Sequence, residues 1–331
     1  MHYPIYIKTT NRCNLKCKHC YNSIMHNTQV MGDETIENTI KYVTGFATQH
    51  PDDVIDVQFH GGEPLLIGLD KLNYITDALE TYQNIKLSIT TNLIYDITDE
   101  HIKFFKRMLP YDDTPYIMTS WDYMIRFSSD RQEKLWETNV EKLVSCGIKL
   151  QPIVCITNEI IKNVKPEYIF QKFSRLGISD VNFERLTNTG NVIGTNLMPS
   201  NNAVDGWLFD AYINNDEIYH FHIPLFESVE ESVRGFLNGC RARQCMKTVR
   251  TINPDGSISA CPNIANITFE SVNDTEIKHN VLKIICEKER AVNPKCFACK
   301  YYRYCNGDCC QLRWDETGCP GLKSIYAKVV A

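Results

Sequence analysis

Between residue 4 and about residue 185, short apolar runs alternate with amphipathic segments, and this alternation confines the chain to a small set of folds. Pro4–Thr10, Val54–His60, Ile85–Thr91, Tyr116–Ser120, Lys149–Cys155 and Val181–Glu184 read as strands. Gly32–Gln49, with Ile36, Ile40, Val43 and Phe46 at helical spacing, reads as a helix, as does Leu69–Tyr82. A third helix covers about Arg131 to Cys146, shows Trp136, Val140, Leu143 and Val144 on one face, and stops at Gly147. Strands alternating with helices imply an α/β fold with a parallel sheet and right-handed crossovers, closed or part-closed as a partial (β/α)6 barrel similar to a TIM barrel. In such folds the chemistry gathers at the carboxyl ends of the strands.

Cysteine usage sets a second constraint. The chain has 331 residues and fifteen cysteines, of which ten lie from Cys240 onward. The start, MHYPIYIKTT, has no basic region followed by an apolar stretch, so a secretory signal is not expected. No run of about 18 apolar residues suggests a membrane span. A net charge of −5 gives no sign of nucleic-acid or anionic-membrane binding. A cytoplasmic location is therefore expected, and there thiolate–metal ligation is the better reading than a disulfide framework.

Three of those cysteines, Cys13-x3-Cys17-x2-Cys20, directly follow the first strand. Three thiolates on a short loop suit one corner of a four-iron cubane and leave one iron without a protein ligand. Zinc is the alternative, but its closed sites favour paired CxxC ligands, and His19 is poorly placed to join Cys17 and Cys20 on one tetrahedral ion. The segment Cys13-Asn-Leu-Lys-Cys17-Lys-His-Cys20 resembles the signature of the radical S-adenosylmethionine (radical SAM) superfamily, with His19 where that family usually has an aromatic ring. The resemblance implies that S-adenosylmethionine chelates the fourth iron, and that its reductive cleavage gives a 5′-deoxyadenosyl radical which abstracts a substrate hydrogen.

Further segments extend the likeness. Gly61-Gly62-Glu63-Pro64 ends the second strand, where two glycines permit close backbone approach and Glu63 could accept a hydrogen bond from a bound ammonium. It resembles the family's GGEP segment. Thr90-Thr91-Asn92 resembles the family's third-strand TN ending, and Ser120-Trp121-Asp122 its fourth-strand SxD segment. Cofactor contacts are thus expected at Gly61, Gly62, Glu63, Pro64, Asn92, Ser120 and Asp122. A basic residue that clamps the methionine carboxylate is expected at Arg131, with Arg126 as the other candidate. Glu184 ends the sixth strand and either faces cofactor or substrate or forms a structural ion pair. No catalytic side chain is assigned.

Cys240-x4-Cys245, Gly256-x4-Cys261, Cys296-x2-Cys299-x5-Cys305-x3-Cys309 and Cys319 provide eight cysteines, enough for two fully ligated four-iron clusters. The pattern resembles the SPASM extension of radical SAM enzymes. That resemblance implies one auxiliary cluster on Cys240, Cys245, Cys261 and Cys309 and a second on Cys296, Cys299, Cys305 and Cys319, with three [4Fe–4S] clusters in all. Cys310 could replace Cys309 if the register slips, while Cys146, Cys155 and Cys286 read as buried structural thiols. The expected organisation is a radical SAM barrel over 1–195, a linker or bridging segment over 196–239 and a SPASM region over 240–331.

Enzymes resembling this pattern mostly modify peptides or proteins. The expected function is maturation of a ribosomally made peptide by a thioether, carbon–carbon or carbon–oxygen cross-link. Its expected partners are the precursor peptide, a separate leader-recognition protein and a flavodoxin- or ferredoxin-type reductant. The nearest alternative is an anaerobic sulfatase-maturating enzyme that makes formylglycine. Those relatives carry an aspartate base directly after the cysteine matching Cys261, where this chain has Pro262. Peptide epimerisation would need a hydrogen-donating thiol, for which Cys155 is the candidate, and a non-catalytic metal-binding module explains only the C-terminal cysteines.

Overall fold

The computed structural model describes residues 1–111, 113–274 and 276–331. Its first half alternates strand and helix as β1 (His2–Thr10), α1 (Asp33–Gln49), β2 (Val54–Gly61), α2 (Leu69–Leu79), β3 (Ile85–Ile89), α3 (Asp99–Phe105), β4 (Tyr116–Ser120), α4 (Asp130–Ser145) and β5 (Lys149–Ile156). Two helices, α5 (Asn158–Asn163) and α6 (Pro166–Arg175), then lead to β6 (Asn182–Arg185). β1, β2 and β3 pair in parallel, as do β4, β5 and β6. The two ladders meet through a parallel bridge between Thr90 and Met118, so the six strands form one broken, part-closed wall.

Alternation along the strands explains the layering. Ile5, Ile7, Val57 and Phe59 are fully buried and face the helices, whereas Tyr6, Lys8, Gln58 and His60 take the intervening inner positions. Helix α4 buries Trp136, Val140 and Leu143, and the Trp136 indole donates to Thr119 Oγ1 at 3.0 Å. Gly147 then takes φ +77°, a left-handed turn that ends the helix.

The chain from residue 196 to 239, expected as a linker or bridging segment, contains two helices, α7 (Asn201–Asn214) and α8 (Pro224–Val233). Ser200 caps α7 by accepting from the Ala203 N–H. Val204, Trp207, Leu208, Ala211 and Tyr212 are buried, and α7 packs on α5, α6 and a C-terminal helix. With neighbours on several sides it needs no single apolar stripe, which is why its periodicity is faint in the sequence.

Beyond a short α9 (Cys245–Thr248), β7 (Arg250–Ile252) pairs in parallel with β1, the strand that precedes the first cysteine loop. The antiparallel strands β8 (Ser257–Ser259) and β9 (Glu270–Ser271) extend the same sheet, giving the order β3-β2-β1-β7-β8-β9. Gly256, at φ +83°, makes the β7–β8 turn and so fixes where Cys261 emerges. Three helices complete the chain: α10 (His279–Arg290), α11 (Tyr302–Cys305) and α12 (Lys323–Val330), the last packing back onto α7 and α8. Among the described residues, no helix is long and apolar enough to cross a membrane.

Trp136 has no exposed surface and lies between Phe127 and Phe173. Trp136→Ala should therefore cost about 3–5 kcal/mol of stability, read as a lower denaturant midpoint. A loss below about 1 kcal/mol would contradict this packing.

Candidate functional site

The cysteine loop is held by its neighbours at the carboxyl ends of the strands. Gly62 N–H donates to the Thr10 carbonyl and Glu63 N–H to the Arg12 carbonyl, both at 2.8 Å. A Cβ on Gly62 would stand 2.1 Å from the Arg12 oxygen, and Gly61 has φ +137°, so both positions require glycine. Pro64 opens a short 3-10 turn, and its carbonyl accepts from Thr9 Oγ1 at 3.3 Å.

Glu63 has no exposed surface. Its carboxylate accepts from Thr91 Oγ1 at 2.7 Å, the Asn92 N–H at 2.8 Å and the Leu65 N–H at 3.2 Å. The expected ammonium acceptor thus already ties the end of β2 to the end of β3. Asn92 continues the link, donating to Asn14 Oδ1 at 2.7 Å, and its amide lies 3.7 Å from Cys13 Sγ. Burial raises the Glu63 carboxyl to about 7, against the pull of its three donors.

On the opposite side, Asp122 is fully buried just past β4. It accepts from the Cys155 N–H at 2.8 Å and Arg126 Nε at 2.7 Å, and His19 Nε2 lies 3.2 Å away. The Arg126 and His19 charges hold the Asp122 carboxyl far below the usual range despite its burial. Of the two candidate arginines, the structure brings Arg126 into this cluster and leaves Arg131 exposed on the first turn of α4. Ser120 is half-buried at the end of β4, beside β5. Cys155 packs against Ile125, Leu186, Val192 and Leu197, as an apolar setting predicts, and its sulfur also lies within 4.8 Å of His19 and Asp122 ligand atoms.

A remote segment also braces the loop, and no local pattern pointed to it. The Asn191 side chain donates to the Cys17 carbonyl at 3.0 Å and its N–H to the Cys20 carbonyl at 3.1 Å. Gly190, at φ +59°, packs so closely that a Cβ there would meet the Cys20 oxygen at 2.4 Å. Cys13, Cys17 and Cys20 therefore share one loop pinned at the mouth of the barrel. Cys17 is buried, and burial keeps its thiol above the usual range, so metal ligation would have to displace its proton. This donor set fits a four-iron cluster with one corner left for another ligand.

The inner wall runs from this loop toward the C-terminal cysteines. Tyr21 OH lies 3.0 Å from the His60 ring, and burial with the nearby Lys8 charge lowers His60 to about 4. Lys8 itself is fully buried, bonded to Asn253 Oδ1 at 3.4 Å and lowered to about 8 by desolvation. Tyr6 is held protonated by burial and by Cys261, Cys240, Glu184 and Cys245, while Tyr21 is influenced by Cys20, Cys261 and Cys155. Glu184 is exposed and accepts from Asn182 Nδ2 at 2.8 Å; the adjacent Arg185, not Glu184, forms the ion pair, with Asp308.

The C-terminal cysteines collect in two places. Cys240 interacts directly with Cys245 and Cys309, Cys309 also touches Cys310, and Cys261 lies within electrostatic range of Cys245 and Cys309. Cys296, Cys299, Cys305 and Cys319 line one hollow with Trp314, Tyr301 and Tyr326. A Cβ on Gly321 would meet Cys305 Sγ at 3.2 Å and Cys319 Sγ at 3.7 Å, so glycine leaves room for two of these sulfurs to converge. None of the fifteen cysteines is in a disulfide. Each set of four suits a fully ligated cluster. Cys146 and Cys286 are half-buried and stand outside both sets.

The part-closed parallel barrel thus carries three cysteines directly after its first strand. Residues 7–120 match the profile of the radical SAM superfamily, and the chain carries a radical SAM domain. Over 346 aligned positions it is 22% identical to a cysteine-type anaerobic sulfatase-maturating enzyme of Clostridium perfringens, covering 91% of this chain and 86% of that protein. Its fold matches native anSMEcpe with bound AdoMet and Cp18Cys peptide with a TM-score of 0.78 at 19% identity, over 100% of this chain and 95% of the other. It also matches Streptococcus suis SuiB bound to precursor peptide SuiA with a TM-score of 0.65 at 15% identity, over 93% and 72% of the two chains.

The Glu63 carboxyl has a pH signature in the metal-free protein. Its folded value of about 7 lies above the ordinary 4.5, so the stability due to its protonated form is complete below pH 4.5 and is lost as pH rises through 7. Relative to Glu63→Gln, the wild type should lose roughly 3 kcal/mol across that window, followed by denaturation at several pH values. A constant difference between the two proteins would contradict the assignment.

Proposed function

We propose that this chain is a radical SAM maturase that oxidises a peptide or protein segment inserted into the barrel and closes a thioether, carbon–carbon or carbon–oxygen cross-link. The observation that carries the reading is that the turn opened by Tyr21, directly after Cys20, packs on the turn that follows Cys261, with Tyr21 and Tyr6 both within electrostatic range of Cys261. A substrate lying there has the hydrogen-abstracting end on one side and an electron acceptor on the other.

In this reading Cys13, Cys17 and Cys20 hold the cluster that binds S-adenosylmethionine. Cys240, Cys245, Cys261 and Cys309 hold a second [4Fe–4S] cluster, and Cys296, Cys299, Cys305 and Cys319 a third. When bound, the first cluster and S-adenosylmethionine supply a carbon radical that removes a substrate hydrogen atom. Gly61 and Gly62 let the backbone approach the methionine moiety, with Pro64 setting the turn that follows. Glu63 and Asn92 fix the strand ends around it. Ser120, Asp122 and Arg126 present polar groups from the opposite ladder, Arg126 taking the carboxylate-clamping role first expected of Arg131. Half-buried Tyr6, Tyr21 and His60 restrict water around the reacting segment. The partners of this reading are the precursor peptide, whose leader binds either a separate recognition protein or the barrel and C-terminal surface directly, and a flavodoxin- or ferredoxin-type reductant, with the cytoplasm as the matching compartment.

Formylglycine formation is the second reading, favoured by the likeness along the chain to the Clostridium enzyme. Against it stands Pro262, half-buried directly after Cys261, where an acid would be needed. Products separate the two. Cross-linking removes two hydrogen atoms and retains sulfur, whereas formylglycine formation from cysteine expels it. Tandem mass spectrometry of short peptides encoded beside this chain, after co-expression, should show the loss of two hydrogens and two residues joined in one fragment. Loss of sulfur from a cysteine, or an aldehyde on a single serine-derived residue, would support the second reading.

Two measurements on the reconstituted enzyme test the cofactor assignment. About twelve irons per chain are expected, with little zinc, and dithionite plus S-adenosylmethionine should release 5′-deoxyadenosine. Cys17→Ala should abolish that release. Cys261→Ala and Cys299→Ala should retain it while reducing cross-linked product at least about tenfold, a 1.4 kcal/mol effect. Undiminished product in both variants would contradict electron removal through the C-terminal cysteines.

A further inference from the structure

The two sets of four cysteines flank a buried knot of charge. Asp308 is 1% exposed and sits in sequence between Cys305 of one set and Cys309 of the other. Its carboxylate receives both terminal nitrogens of Arg185 at 2.9 Å, and Arg241 stands 3.8 Å away. The Cys309 N–H donates to Asp308 Oδ1 at 2.7 Å. Arg185 continues to the Pro320 carbonyl beside Cys319, at 2.9 Å, and Arg243 donates to the Asp308 carbonyl at 3.1 Å. Two guanidiniums, those of Arg185 and Arg241, thus share one buried carboxylate, while Arg243 meets only its backbone.

Arg241 has donors to spare. It is 3% exposed, and its Nη1 donates to Ser228 Oγ. Its Nε and Nη2 are buried and meet no hydrogen-bond acceptor among the described residues. Leaving a buried donor unpaired is costly, and more so when it is charged. The residue follows Cys240, a ligand candidate of the first set, yet its carbonyl accepts from Asn306, next to Cys305 of the second, at 2.8 Å. Its side chain reaches Ser228 on α8, the helix that packs on α11, which ends at Cys305, and on α12, which carries Tyr326 from the hollow of the second set. The guanidinium therefore lies against the second set, while its backbone belongs to the first.

We propose that Arg241, braced by Asp308 and Arg185, donates N–H groups of its unpartnered Nε and Nη2 to the cluster on Cys296, Cys299, Cys305 and Cys319 and raises that cluster's affinity for an electron above that of the cluster on Cys240, Cys245, Cys261 and Cys309. The inference rests on the two-auxiliary-cluster reading given above. Taking up one electron adds one negative charge in a region shielded from water, and a neighbouring cation with N–H donors stabilises that form. Hydrogen bonds to cluster sulfur and local charge are the protein's means of setting such potentials. An electron leaving the substrate beside Cys261 would then pass to the set farther from the barrel interior. Arg241 touches no substrate and is a positioning residue.

The test uses full-length protein reconstituted without oxygen, as wild type, Arg241→Gln and Arg241→Lys. Iron is counted, and the clusters are titrated with dithionite and followed by EPR. In Arg241→Gln, the potential of one auxiliary signal should fall by about 59 mV or more, a tenfold loss of electron affinity for one electron. The signal of the Cys13 loop should not move, and Arg241→Lys should recover part of the shift. If Arg241→Gln loses about four irons, their return in Arg241→Lys supports the same role. Unchanged potentials at full iron content overturn the proposal, as does iron loss that lysine does not restore. A wild type holding only about four irons would instead defeat the two-auxiliary-cluster reading, whatever the Arg241 variants do.

Discussion

The site depends on a buried carboxylate that ties three strand ends together. Glu63 leaves β2 where glycine alone can pass the Arg12 carbonyl, and its side chain holds Thr91 and Asn92 at the end of β3. Asn92 then bonds Asn14 inside the cysteine loop. A parallel sheet fixes the distance between neighbouring strands but does not by itself order the loops beyond them. Here hydrogen bonds between strand ends supply that order, and the loop bearing Cys13, Cys17 and Cys20 takes its position from them. Asp122 serves the other ladder in the same way, joining His19 of the loop to Arg126 and to the backbone of β5.

The C-terminal region is joined to the barrel through backbone and charge together. β7 adds to β1 in parallel, so the strand that feeds the first cysteine loop also borders the turn that leads to Cys261. At the far side, Arg185 at the end of β6 grips Asp308 between the two C-terminal sets. Breaking such a buried pair by removing one partner is costly, because the other charge remains without water. The two attachments face the interior from opposite ladders. Tyr6, Glu184 and Cys261 thereby come within electrostatic range of one another.

Much of this was legible in the sequence because its signals are local. The six barrel strands lie within a few residues of the runs that announced them, since each is an apolar or alternating stretch ended by turn residues. The cysteine spacings carry their chemistry within a few residues. Long-range pairings left no such mark. Arg185 and Asp308 are separated by 123 positions, and Asn191 reaches Cys17 across 174. Arg126 lies four residues after Asp122, a spacing that favours contact, yet the sequence alone did not separate it from Arg131. Helix α7 was hidden because its buried residues serve several neighbours, and the bonds of Glu63 to Thr91, Asn92 and Leu65 were not legible because a motif does not reveal which of its donors the protein itself supplies.

The most direct measurement is the EPR spectrum of the dithionite-reduced protein in which the eight cysteines of the two C-terminal sets are changed to alanine, recorded with and without S-adenosylmethionine. An open iron on the Cys13, Cys17 and Cys20 loop predicts a single four-iron signal whose g-values shift when S-adenosylmethionine is added. A signal indifferent to S-adenosylmethionine, or no cluster at all in a folded protein, would contradict it.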